Sequence, residues 1–181
     1  MRVSVSIDPG TVTMGYCVWD MRKWERGPLV PPIAAGKYDL NRSFSTSGKI
    51  LRNHISGVRE LLKRLASKLE GYHVERVYCE EMIGFDGVRA NAARADVLHV
   101  AFATGAIFYF AETIGAAFHS VPVTKWKGQL SKDMVYRRIL KRYGLDERSS
   151  EDETTFGGLL SYPISHDWDA FGIGLFAQGK F

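Results

Sequence analysis

Three short stretches place acids where a soluble core would not want them. Asp8 ends RVSVSID, Glu80 and Glu81 end VERVYCEE, and His166, Asp167 and Asp169 sit together in SHDWDAFGIG. Desolvating one unpaired carboxylate costs on the order of several kcal/mol. Two strand-end acids and a helix-start pair meeting at one end of a sheet would repel one another unless divalent cations neutralised them. An oxygen-rich donor set with one imidazole suits Mg²⁺ or Mn²⁺. Two such ions about 4 Å apart activate water and stabilise the leaving oxygen in phosphodiester hydrolysis. Spacing restricts the membership. Adjacent strand residues face opposite sides of a sheet, so only one of Glu80 and Glu81 shares a face with Asp8. Helix positions i and i+3 lie together, which pairs His166 with Asp169 and turns Asp167 to another side.

Each residue taken alone has a plainer explanation. Asp167 suits a helix start capped by Ser165, where the dipole stabilises an acid. Glu81 suits a solvated strand end. Asp8 suits an Asp-Pro-Gly turn, and His166 a surface position. The combination is what points to a shared site.

The elements that must carry these residues are legible in the hydrophobic period. Val3, Val5 and Ile7 alternate with polar residues, and Pro9-Gly10 ends that strand at once. Strands follow at 15–19 and, after a polar Pro-rich connection, at 33–40; short links favour antiparallel pairing. From Ser47 the period changes: Leu51, Ile55, Val58, Leu62, Leu65 and Leu69 recur at spacings of four and three, giving an amphipathic helix that stops at Gly71. A strand at 74–81, a long helix at about 90–115, a fifth strand at 117–121 and a helix at 132–143 come next. Residues 146–165 are acidic and turn-rich and read as a mobile loop, and the last helix starts after Pro163. The order predicts one α/β domain, 1–181, with a mixed sheet and no internal repeat.

With 45% apolar and 24% charged residues in 181, the composition is that of an ordinary globular domain. The long apolar stretch 97–118 is broken by His99, Thr104, Gly105 and Glu112, so it reads as a buried helix and not a membrane span. Residues 1–30 lack the basic start and apolar core of a signal peptide. Cys17 and Cys79 have no metal-type spacing and read as buried thiols in a reducing compartment, which implies a cytoplasmic location. The net charge of +4 is unevenly spread. Residues 41–70 carry seven bases against two acids, 122–148 eight against three, and 149–181 one against five. Two basic segments beside a carboxylate cluster suit a polyanion-binding face, although solvated helix faces would show the same bias.

SIDPGTVTMGYCVWD resembles the opening of the RuvC family of Holliday-junction resolvases, in which a strand reads Ile-Asp-Pro-Gly and a Gly-Tyr-Gly-like segment begins strand two. RVYCEEM resembles the second acidic strand of that family, whose catalytic acid falls on Glu80. HDWDAFGIGLF resembles its closing helix, where a His or Asp is followed three residues later by Asp; these fall on His166 and Asp169. Order and approximate spacing agree over nearly the whole chain. The resemblance implies an RNase H-like fold, a mixed five-stranded sheet flanked by helices, acting as a homodimer. It further implies a divalent-metal-dependent endodeoxyribonuclease that resolves four-way (Holliday) junctions by paired nicks. Asp8, Glu80, His166 and Asp169 would hold two Mg²⁺ or Mn²⁺ ions. The family also carries a lysine just before a helix near VTKWKGQLSK. The resemblance implies that it assists catalysis; Lys132 matches it best, Lys125 and Lys127 compete for an earlier position, and generic phosphate contact is the alternative role for each.

The family's aromatic wedge, three residues after the second acid, is Ile83 here, with Phe85 two residues later between Gly84 and Gly87. Arg89 and Arg94 follow, and an aromatic-plus-Arg segment suits unpaired DNA. Phe85, Arg89, Arg94, Lys125 and Lys127 are the expected DNA contacts. The compact, divergent form resembles a phage or viral resolvase. Two other functions stay open: a nuclease of the same fold with broader branched-DNA or RNA–DNA hybrid specificity, and a junction-binding protein without catalysis. An Asp-x-Gly-Thr-like turn also occurs in actin-like sugar kinases and ATPases, but those need a second lobe and a second Gly-rich loop.

Overall fold

The computed structural model describes residues 1–10, 12–25, 29–39, 50–81, 93–145, 160 and 166–181. The elements are β1 (Arg2–Asp8), β2 (Thr13–Asp20), α1 (Met21–Glu25), β3 (Ala34–Asp39), α2 (Ile50–Lys68), β4 (His73–Glu81), α3 (Ala93–Thr113), β5 (Ala117–Pro122), α4 (Val123–Trp126), α5 (Lys132–Arg142) and α6 (His166–Ala177). Side chains are described from residue 55 in α2 and from residue 99 in α3.

One sheet holds all five strands in the order β3-β2-β1-β4-β5. β1, β2 and β3 form an antiparallel meander, as their short connections require. β4 pairs parallel with β1, and β5 parallel with β4, so α2 and α3 are the crossovers. The mixed five-stranded sheet expected from the sequence is the one observed.

Period-2 alternation divides β1 between two cores. Val3, Val5 and Ile7 face the core shared with α2 and α3, which includes Val58, Leu61, Leu65, Ala103 and Ile107. Ser4, Ser6 and Asp8 face the opposite side, where Cys17, Trp19 and Tyr78 meet α4, α5 and α6. α6 lies against β1 and β2 and is buried from Asp167 to Leu175. Its apolar residues surround the axis, as suits a helix covered on all sides. α5 starts at Ser131, whose hydroxyl accepts from the Met134 amide at 3.3 Å. It stops where Gly144 takes φ 66°, a left-handed conformation that lets Leu145 N donate back to Leu140 O at 3.0 Å.

The structure adds α1 and α4, two short helices that the sequence period did not reveal, and revises the reading of α3. That helix is not buried all round: Phe102, Phe108 and Tyr109 are exposed, Tyr109 by 71%. Among the described residues no helix is long and apolar enough to cross a membrane. Cys17 and Cys79 are buried free thiols. Ser165 and the acidic segment 146–165, apart from Leu160, lie outside the described residues.

Candidate active site

Strand register sets the first two acids side by side. The last β1–β4 pair is Ile7 with Cys79, so Asp8 and Glu80 are the next residues along the two parallel strands. Both face the α6 side. Glu81 belongs to the other face, where it accepts a 2.8 Å hydrogen bond from Ser120 Oγ on β5. Of the two acids ending VERVYCEE, it is therefore Glu80 that shares a face with Asp8.

The first turn of α6 supplies the rest. His166 Nδ1 lies 2.5 Å from Asp8 Oδ2, a hydrogen bond that joins the start of α6 to the end of β1. Asp8, His166 and Asp169 each offer a ligand atom, and these atoms lie within 4.8 Å of one another. Asp8 and Asp169 are buried, at 7% and 3% exposed. Glu80 stands beside this trio and outside the 4.8 Å set. Asp167 points elsewhere: it is fully buried, and its Oδ1 accepts from Trp168 N at 3.2 Å.

Two lysines close on Asp169. Lys127 Nζ is 3.0 Å from Oδ1 and Lys132 Nζ is 3.3 Å from Oδ2. Lys132 stands at the start of α5 and Lys127 just past the end of α4. Trp126 anchors α4: its ring fills the space over Gly172 of α6, where a Cβ would come within 2.6 Å. Lys125 is exposed on α4 and is not among the groups on Asp169. Of the two, it is Lys127 that reaches Asp169.

Burial raises the Asp8 carboxyl above the ordinary range, against the hydrogen bond from His166, which lowers it. Glu80 is pushed up to about 8, first by burial and then by the charges of Asp8 and Asp169, with Lys127 and Lys132 opposing. Asp169 raises the proton affinity of Asp8, and both raise that of Glu80, so the cluster forms an electrostatic trap for a cation. The donors are hard oxygens with one imidazole, which fits Mg²⁺ or Mn²⁺.

Glycines make the close approach possible. A Cβ on Gly15 of β2 would lie 2.0 Å from the His166 carbonyl oxygen, and one on Gly10 would lie 2.7 Å from His166 Cε1. Gly15 was not recognised from the sequence as a site residue, yet a glycine within a strand pattern is the expected mark of backbone approach; Gly10 was read there only as part of the turn that ends β1. Phe85 and Arg89 lie outside the described residues. Arg94 lies on α3, with its side chain outside them.

No protein-family model matches the sequence, and no curated protein is similar to it at a significant level. Solved structures are similar over nearly the whole chain. RuvC of Thermus thermophilus in complex with Holliday junction substrate is 18% identical, with a TM-score of 0.65, over 97% of this chain and 91% of that one. A second T. thermophilus RuvC structure is 18% identical, with a TM-score of 0.54, over 98% and 97%. The fowlpox virus Holliday junction resolvase is 12% identical, with a TM-score of 0.55, over 98% and 97%. The fold of this chain is that of the RuvC-like resolvases, an RNase H-like mixed sheet with flanking helices, as the three sequence motifs implied.

Proposed function

We propose that the protein is a structure-selective DNA endonuclease that resolves four-way junctions by divalent-metal-dependent phosphodiester hydrolysis. The observation that carries this reading is the meeting of Asp8, His166 and Asp169 beside Glu80 at one end of the sheet, in a RuvC-like fold. Asp8, Glu80, His166 and Asp169 are the residues that would hold Mg²⁺ or Mn²⁺. Ions bound there would polarise the scissile phosphate and lower the pKa of water. The chain's own groups do the rest. Asp8 and Asp169 are fixed on a central strand and a buried helix, which holds them more rigidly than loops would. Lys127 and Lys132 bring two ammonium groups to the edge of the acidic cluster, where they counter phosphate charge. His166 hydrogen-bonds Asp8 at the same place.

Paired nicks need two such sites, and the reading includes a homodimer. α2 and α3 leave an apolar groove of about 450 Å³ on the side of the sheet away from α6, lined by Ile55, Leu62, Phe102, Tyr109 and Ile114. Exposed aromatics beside a groove favour a protein partner, and a second copy of the chain fits this requirement.

The substrate is decided by a panel of end-labelled four-way junctions, Y-forks, RNA–DNA hybrids and linear duplex, with Mg²⁺ or Mn²⁺. Preferential cutting of the junction is expected. Equal cutting of forks or hybrids would instead support the broader nuclease. Tight junction binding with no cutting under either ion would support the non-catalytic reading.

A further inference from the structure

We propose that Ser6 is a positioning residue: a buried hydrogen-bond chain from Trp19 through Ser6 to Ala170 sets the distance between Asp8 and Asp169. The inference rests on the metal-dependent reading of the site above and assigns the group that holds its two halves in register.

Ser6 is fully buried, two residues before Asp8 on the same face of β1. Its Oγ accepts a hydrogen bond from Trp19 Nε1 at 2.9 Å and donates one to Ala170 O at 2.7 Å. A serine hydroxyl has a single proton, and the indole is a donor only. The direction of the chain is therefore fixed, and the serine proton goes to Ala170. Ala170 directly follows Asp169. One hydroxyl thus ties the strand bearing Asp8 to the helix bearing Asp169, next to the acid on one side and two residues from it on the other.

The indole is itself immobilised. Trp19 is 1% exposed, packs on Phe171 at 5.1 Å between ring centroids, and covers Gly174, where a Cβ would come within 2.4 Å of the ring. Ala170 and Gly174 are four apart, so the hydroxyl and the ring grip one stripe of α6 on successive turns. Apolar contact alone lets a helix slide along a sheet. A hydrogen bond tolerates only a few tenths of an ångström, roughly the tolerance that a metal-binding or catalytic constellation requires.

Stability and positioning can be separated. Ser6→Ala frees Ala170 and also leaves a buried indole N–H without an acceptor, which destabilises the fold. Adding Trp19→Phe removes that orphan donor but leaves Ala170 untied. Ser6→Ala is expected to weaken Mn²⁺ binding, measured by calorimetry without DNA, and to lower kcat for junction nicking, each by about tenfold, with KM within about twofold. The double variant, which also gives up the packing of Trp19 on Phe171 and Gly174, is expected to recover neither Mn²⁺ affinity nor kcat, whatever its melting temperature. Trp19→Phe alone should fall between wild type and Ser6→Ala. If Ser6→Ala does not fold, Ser6→Cys, a weaker donor, should show the same split to a smaller extent.

Recovery of affinity and kcat together with melting temperature would overturn the proposal, because Ser6 would then be a stability element only. So would wild-type Mn²⁺ affinity in Ser6→Ala. A wild type that binds Mn²⁺ without nicking junctions would sink the resolvase reading alone, with the affinity comparison still deciding the role of Ser6. A wild type that binds no Mn²⁺ would sink both.

Discussion

Asp8, Glu80 and Asp169 are costly neighbours, and the cost has a sign that can be measured. Glu80 takes up its proton near pH 8 in the folded chain and near the ordinary 4.5 of glutamate when unfolded. A raised carboxyl pKa means that the folded state binds the extra proton, so stability is lost as pH rises from about 4.5 through 8. Glu80→Gln removes that loss. In EDTA it should raise the melting temperature at pH 8 by roughly 5 °C or more, corresponding to a few kcal/mol, with little change at pH 4. An equal rise at both pH values would show that packing, not charge, is responsible. Gly15→Ala tests the opposite edge of the site. Its methyl would meet the His166 carbonyl, forcing the start of α6 outward. Nicking should fall at least about tenfold, and Mn²⁺ affinity with it, while the cost in stability stays near 1–3 kcal/mol. Wild-type nicking by Gly15→Ala would mean that the position of His166 is unimportant. The acids were legible in the sequence because their types are wrong for a core and their spacing fits one face. That Lys127, and not Lys125, reaches Asp169 was not, because it depends on how Trp126 docks on Gly172, a tertiary contact with no local signature.

α6 and α3 are both apolar, and they use that character differently. α6 is covered by the sheet, α4 and α5, so its buried length holds His166 and Asp169 in place. α3 covers the sheet on one side and leaves Phe102, Phe108 and Tyr109 exposed on the other. If that outer face joins two copies, Tyr109→Glu should convert a dimer to a monomer in sedimentation velocity without unfolding it. A Tyr109→Glu protein that sediments like a dimeric wild type would place the interface elsewhere. The long elements were readable from their period to within about three residues, including the switch from strand to helix after the meander. α1 and α4 were not, since helices of five and four residues are too short to show a period. The single apolar stretch at 97–118 could not say which of its faces stays uncovered, because burial depends on how much sheet is available to cover it.

At the scale of the whole molecule, the candidate site follows from strand order. Placing β1 centrally, between β2 and β4, lets Asp8 meet Glu80 along one strand and the first turn of α6 across the other layer. That topology was recoverable from the order of elements and from three motifs, even though whole-chain identity to the similar structures is only 12–18%. The most direct test of the proposed metal centre compares wild type with Asp8→Asn on an end-labelled four-way junction in Mg²⁺. The wild type should place symmetric nicks on two opposing strands. Asp8→Asn should bind the junction as tightly and nick it at least about a thousandfold more slowly. Nicking at the wild-type rate by Asp8→Asn, or undiminished nicking by the wild type in EDTA, would contradict a metal-holding role for the carboxylate at the end of β1.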